Sequence, residues 1–104
     1  MNRYSELSDA DLRKEIIRRF DGRSYMNWVT DVNDALTLIQ SYCKIETGKK
    51  AGVIIWRCTF LLGNTGWCSA ATLSRAICEA WLIQNDALQA VQDDMRKLRG
   101  GEKI

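Results

Sequence analysis

A long apolar strand in the middle of the chain organises the rest of the sequence. Val53–Leu62 is rich in β-branched and aromatic residues, which favour strands. One set of alternating positions is wholly apolar: Ile54, Trp56, Cys58, Phe60 and Leu62. The other set is mostly apolar, with polar residues at Arg57 and Thr59. Because a half-exposed strand alternates more cleanly, we expect cover on both faces, at least in the first half of this strand.

Glycine-flanked loops predict two further strands, one before and one after this run. The strands are expected at Lys44–Thr47, Val53–Leu61 and Trp67–Ala70. The loops that join them are Gly48–Gly52 and Gly63–Gly66. Parallel strands need a long crossover connection, so loops this short predict a three-stranded antiparallel meander.

Apolar residues at helical spacing predict two helices before the sheet. The first is Asp9–Phe20, with Ser8 as its N-cap, and the second is Asp31–Tyr42, with Thr30 as its N-cap. With a helical region after the sheet, the order becomes α-α-β-β-β-α. The predicted fold class is therefore α+β, an α/β/α sandwich in which helices cover the meander.

The helical region after the sheet reaches far along the chain. It spans Thr72–Arg99, and Thr72 or Ser69 can cap it. Asn85 and Asp86 can break it, so one helix and two helices both remain open. One helix would be about 40 Å long, more than the width of such a domain, and its far half would project. We expect a single domain over residues 1–104, compact at 7–83, with a helical extension at 84–104. Homo-oligomers would form through the apolar residues of this extension: Leu88, Val91, Met95 and Leu98.

Composition narrows the class of protein. The chain has 104 residues, 46% of them hydrophobic and 27% charged, as in one small globular domain. A net charge of +2 does not by itself indicate nucleic-acid binding. There is no apolar run near the about 20 residues that span a bilayer, and the first residues lack a signal-peptide core. We expect a cytoplasmic protein that does not contact a membrane.

Candidate chemistry is sparse, since the chain has four cysteines and no histidine. In a cytosolic protein we expect free thiols and no metal or cofactor. Asp31 and Asp34 form a carboxylate pair three residues apart, which we interpret as a helix-dipole partner and a solvated side chain. Cys68 lies between a turn and a helix, but it has no histidine to activate it. We therefore predict that the protein is not an enzyme.

Four residues are candidate ligand contacts: Arg57, Trp67, Trp28 and Tyr25. Arg57 interrupts an apolar strand, so it must reach the sheet edge, pair with an acid or bind an anion, and we favour an acid. Trp67 beside a turn and Trp28 in a connector are freer than Trp56 and Trp81, which we predict to be core. The first helix also has a basic edge, which we interpret as a solvated face: Arg13, Lys14, Arg18, Arg19 and Arg23.

Two short motifs resemble a known family. Tyr25 followed by Thr30-Asp31-Val32-Asn33-Asp34-Ala35-Leu36, and later Leu73-Ser74-Arg75-Ala76-Ile77-Cys78-Glu79-Ala80, are similar to motifs of the phage ABA sandwich family. The resemblance covers about residues 7–83 and implies a three-layer sandwich of phage or prophage origin. It implies no catalytic residues. The gap before Thr30 and the C-terminal extension depart from the family pattern.

These observations favour a non-enzymatic phage accessory protein that acts by binding in the host bacterial cytoplasm. It would counter a host defence by sequestering a small anionic or nucleotide-type signal, or by blocking a host protein. One alternative is a homo-oligomeric structural or interaction module. Another is a weak nucleic-acid binder, although nucleic acid is not the partner that we expect.

Overall fold

Six secondary-structure elements follow one another in the predicted order. The computed structural model describes residues 3–19, 26–39, 42–60 and 66–102, with side chains up to residue 97. The elements are α1 (Asp9–Arg19), α2 (Val32–Leu36), β1 (Cys43–Lys50), β2 (Val53–Phe60), β3 (Cys68–Ala70) and α3 (Leu73–Glu102). The strands form one antiparallel sheet of order β1-β2-β3. The predicted α+β class, meander and element order are confirmed.

Helix α1 begins where its capping signal predicts. The Ser8 hydroxyl accepts a hydrogen bond from the backbone N–H of Asp11 (3.2 Å), which satisfies one of the first free donors of the helix. Leu12 and Ile16 lie one turn apart on the same face, and both are fully buried. The predicted last residue, Phe20, lies outside the described residues.

Helix α2 is much shorter than the predicted Asp31–Tyr42. Asp31 is its N-cap, one residue after the predicted cap, and its carboxylate accepts from the backbone N–H of Asn33 (2.8 Å). The helix ends at Leu36. The Thr37 hydroxyl then donates to the backbone carbonyl three residues back (2.6 Å), a local bond that competes with continued helix.

The β1–β2 hairpin also differs from the prediction. Strand β1 continues through Gly48 to Lys50, so the expected loop Gly48–Gly52 reduces to a turn of two residues. Ala51 and Gly52 both have positive φ, of 53° and 80°. Two successive positive φ values are typical of the type I′ turn, whose twist matches that of paired strands. Gly48 therefore lies within a strand.

Helix α3 is a single helix of 30 residues. The Thr72 hydroxyl accepts from the backbone N–H of Arg75 (3.3 Å), which confirms Thr72 as its cap. Among the described elements, α3 joins the two parts of the core, because it contacts β2 and β3 as well as α1 and α2. Its length gives the molecule a long axis of 59 Å, against 29 and 24 Å.

The two faces of the sheet differ in burial. Strand register places one set on the face that packs against α3, here called the core face: Cys43, Ile45, Trp56, Cys58, Phe60, Cys68 and Ala70. The opposite face, here called the open face, carries Lys44, Glu46, Gly48, Ile55, Arg57 and Ser69. The predicted core residues Trp56 and Trp81 do pack in or against the core.

Burial along β2 runs opposite to the expected direction. Val53 and Ile54 are 62% and 57% exposed, so the expected cover on both faces of its first half is wrong in the described part of the chain. The buried end is Cys58–Phe60. Strand β3 pairs only with Trp56–Cys58, and α3 follows β3 directly, so the helix covers that end of the sheet.

Candidate ligand-binding site on the open face of the sheet

Two of the four predicted ligand contacts lie together on the open face. Arg57, in the middle of β2, has Glu46 of β1 and Ser69 of β3 directly opposite it. Its guanidinium carbon lies 4.9 Å from the centre of the Trp67 ring. This distance is that of a cation–π contact, which fixes the guanidinium against the ring face. Trp67 itself remains 38% exposed.

Gly48 places no side chain of its own beside Arg57 and Ile55. A Cβ atom at this position would lie 3.7 Å from Cδ of Arg57 and 3.7 Å from Cγ1 of Ile55. Gly48 does not have a positive φ, so the strand does not need glycine for its backbone conformation. A glycine inside a strand often marks a place where a ligand or another backbone approaches closely. Gly48 is half-buried here, with the side chains of Arg57 and Ile55 beside it.

The Arg57 guanidinium has no hydrogen-bond acceptor and no carboxylate within 4.0 Å among residues 3–19, 26–39, 42–60 and 66–97. Glu46 is directly across the strand pair, yet the side chain turns to Trp67 instead. The preferred prediction of an acid partner is therefore wrong for this part of the chain. A half-buried guanidinium with open donors is suited to binding an anion.

The arginines of α1 make hydrogen bonds or ion pairs within the chain. Arg13 donates to the backbone carbonyl of Met26 (2.7 Å), and Arg19 pairs with Glu15 (3.1 Å) and Asp86 (2.8 Å). Arg18 pairs with Glu15. Arg18 and Arg19 of the basic edge are thus paired with carboxylates, whereas Arg13 contacts a backbone carbonyl and Arg23 lies outside the described residues.

The charge of the open face favours anions. On this face, β1 and β2 carry three basic side chains and a single carboxylate, that of Glu46. The basic residues are Lys44, Lys50 and Arg57. Val53, which is 62% exposed, and the half-buried Ile55 add apolar surface beside these charges. Positive charge next to an exposed aromatic ring is the arrangement that holds a planar anionic group on a sheet.

The other two predicted ligand contacts are not part of this face. Trp28 is 1% exposed and belongs to the hydrophobic core, so the prediction of a freer, ligand-facing side chain is wrong. It sits in the turn that leads into α2, where the core takes up its large ring. Tyr25 lies outside the described residues.

The predicted self-association residues lie on α3. Leu88 is half-buried, while Val91 and Met95 are 56% and 51% exposed. The side chain of Leu98 lies outside the described part. A stripe of exposed apolar side chains on a projecting helix needs a partner surface or remains in contact with water.

The candidate catalytic residues have structural partners or are buried. Asp31 caps α2, and the Asp34 carboxylate accepts from the backbone N–H of Asn27 (2.8 Å). Cys68 is 2% exposed, and burial, with the nearby charge of Glu79, raises the pKa of its thiol to about 11. The four cysteines are free thiols. Within the described ranges there is no group of three or more side chains placed to hold a metal.

Sequence reasoning missed Gly48 as part of a site. The sequence-based prediction places Gly48 in the turn, although Ala51 and Gly52 are sufficient for the turn. A glycine left over once the turn is assigned was the available signal.

Comparisons with protein-family models, with curated proteins and with solved structures found no match to this chain. In the described ranges, none of the helices combines the length and the apolar character needed to span a membrane.

Proposed function

We propose that the protein is a non-enzymatic binding protein whose open face holds a small anionic ligand of nucleotide type. The observation that carries this proposal is the half-buried Arg57 guanidinium, which lies against Trp67 without an acceptor in the described part of the chain. An anionic group would accept hydrogen bonds from the outer edge of the guanidinium, which pairs well with phosphate or carboxylate. A flat group of the ligand would rest on Ile55 and the exposed part of the Trp67 ring.

The biological setting is part of the same proposal. The motifs around Thr30–Leu36 and Leu73–Ala80 resemble those of a phage family, which supports a phage or prophage accessory protein in the host cytoplasm. In this proposal, the protein counters a host defence by binding and sequestering a nucleotide-type signal. Blocking a host protein through the same face is the variant to consider if small anions do not bind.

A thermal-shift and calorimetric titration with defined probes tests the ligand proposal. The probes are inorganic phosphate, nucleoside monophosphates, cyclic nucleotides and nucleotide sugars. A ligand at 100 times its Kd stabilises the native state by about 2.7 kcal/mol, which raises the melting temperature measurably. We expect a shift with at least one nucleotide, and a loss of more than about tenfold in affinity in Arg57→Gln.

Two further variants make this test specific. Arg96→Gln removes an exposed arginine outside the open face and should bind as the unchanged protein does. Gly48→Ala adds a methyl group beside Arg57 at ordinary contact distance and should weaken binding without unfolding the protein. If no anion shifts the melting temperature, or if Arg57→Gln binds normally, the ligand proposal is wrong. Tighter binding of single-stranded DNA than of any nucleotide, with a steep salt dependence, would instead indicate a nucleic-acid binder.

A further inference from the structure

The C-terminal half of α3 projects from the rest of the fold. That packed part, here called the body, consists of the sheet, α1, α2 and the first half of α3. Every side chain from Gln89 to Lys97 is exposed, although the helix continues to Glu102. An isolated helix of this length is marginal in water, and helices in proteins are stabilised mainly by packing of an apolar face. This segment contains no residue of the open face, so what stabilises the segment is independent of the proposed ligand site.

The apolar residues of this half continue the stripe that the body buries. Leu88, Val91, Met95 and Leu98 follow one another at spacings of three, four and three, which is the a/d spacing of a heptad pattern. On the preceding turns, the same side of the helix carries Ile77, Trp81 and Gln84, at 0%, 9% and 6% exposure. The exposed stripe therefore faces the side on which the body itself lies.

This placement decides the orientation of a partner helix. In a parallel pair with matching register, each body would lie between the two helices, in the volume that the other body needs. In an antiparallel pair, the second helix instead fills the space beyond the end of the body. The two bodies then lie at opposite ends of the pair, and only the last turn of each helix comes level with the edge of the other body.

We infer that the C-terminal half of α3 pairs antiparallel with the same segment of a second copy, across a twofold axis level with residue 93. Leu88 then lies level with the partner subunit's Leu98, and Val91 with the partner subunit's Met95, so the positions of the stripe face one another. Residues 89–102 carry three acidic and three basic side chains, so two copies approach without net repulsion. An isologous pair of this kind is the commonest form of homo-oligomer.

Sedimentation over protein concentrations from about 1 μM to about 1 mM tests the pairing. The short stripe should give a dimer that dissociates on dilution. Val91→Asp places a charge on the stripe and should weaken dimerisation at least tenfold. Ala90→Asp places the same charge about 100° away around the helix, off the stripe, and should leave the dimer intact. A monomer at every concentration, or equal effects of the two variants, overturns the inference.

Cross-linking tests the orientation. In the antiparallel pair, two copies of position 88 are about ten residues apart along the helices, or about 15 Å, beyond the reach of a disulfide. Leu88→Cys should therefore not cross-link to itself above the background of the four native cysteines. A mixture of Leu88→Cys and Leu98→Cys should form a mixed dimer under the same mild oxidant. Self-cross-linking of Leu88→Cys in the absence of the mixed product would show a parallel pair and overturn the inference.

Discussion

The two halves of α3 have similar apolar spacing but opposite surroundings. In the first half, every residue from Ala76 to Leu82 is at most 9% exposed, because the sheet and the other two helices surround the helix. In the second half, every described residue from Gln89 onward is exposed. The period of apolar residues thus predicts where a helix forms, but it does not determine what covers that helix.

The polar residues show the same contrast. In the first half, Arg75 is bound on all sides: its guanidinium pairs with Glu79 (2.9 Å) and Asp9 (2.7 Å). It also donates to three backbone carbonyls of the N-terminal segment, those of Tyr4, Ser5 and Leu7, at 3.2, 3.3 and 2.5 Å. In the second half, Arg96 is exposed. One arginine fastens the N-terminal segment to α3, and the other faces solvent.

Replacing Arg75 or Arg96 with methionine should give the largest difference in stability between the two halves of α3. Arg75→Met removes one partner of Glu79, a residue that is 1% exposed, and should lower the free energy of unfolding by about 3–5 kcal/mol. Arg96→Met should change it by no more than about 0.5 kcal/mol. Urea unfolding of both variants measures the difference. Equal stabilities would mean that the contacts of Arg75 contribute little to the fold.

Shortening one apolar side chain in each half of α3 should give the next largest difference in stability. Ile77→Ala opens a cavity in the core and should cost about 2–5 kcal/mol. Val91→Ala, measured at a concentration where the protein is monomeric, should cost no more than about 0.5 kcal/mol. The same urea experiment compares the two. A cost above about 1 kcal/mol for Val91→Ala would show that the single chain already covers this half of the stripe.

Features that depend on nearby residues were predictable from the sequence. The caps at Ser8 and Thr72 involve groups three residues away, and the antiparallel meander follows from short loops and strand propensity. The sequence also indicates a tight turn, but with Gly48 and Gly52 both present it does not specify where the turn lies. Only pairing of Gly48 with Ile55 across the strands shows the position of the turn.

Features that depend on distant packing were not predictable. The burial of Trp28 and the exposure of Ile54 depend on where α3 passes over the sheet, which no local pattern specifies. The contact of Arg57 with Trp67 depends on the register between β2 and β3, which pairs Arg57 with Ser69. The sequence allowed an acid partner for Arg57 across the strands, and register alone does not decide which way the side chain turns.

A polar cluster at Asp86 fastens α3 to the N-terminal part of the chain where the buried half gives way to the exposed half. The Tyr4 hydroxyl donates to Oδ2 of Asp86, and Arg19 donates to Oδ1 (2.8 Å). Burial acts to raise the pKa of the Asp86 carboxyl, but the hydrogen bonds from Tyr4 and Arg19 outweigh it and hold that pKa below its usual value. The ionised carboxylate is thus the acceptor that keeps the Tyr4 phenol protonated.

The smallest expected effect is a loss of stability at alkaline pH. Burial, with the hydrogen bond to Asp86, raises the pKa of Tyr4 to about 12 in the folded protein, above the value of about 10 expected when the chain is unfolded. Because the folded state holds this proton more tightly, the stabilisation is fully present below about pH 10 and is lost as the pH rises towards 12. Urea midpoints measured from about pH 8 to about pH 11 should therefore fall less in Tyr4→Phe than in the unchanged protein. Tyr42→Phe, at a residue that is 84% exposed, should leave the slope unchanged, and an equal flattening in both variants would contradict the assignment to Tyr4.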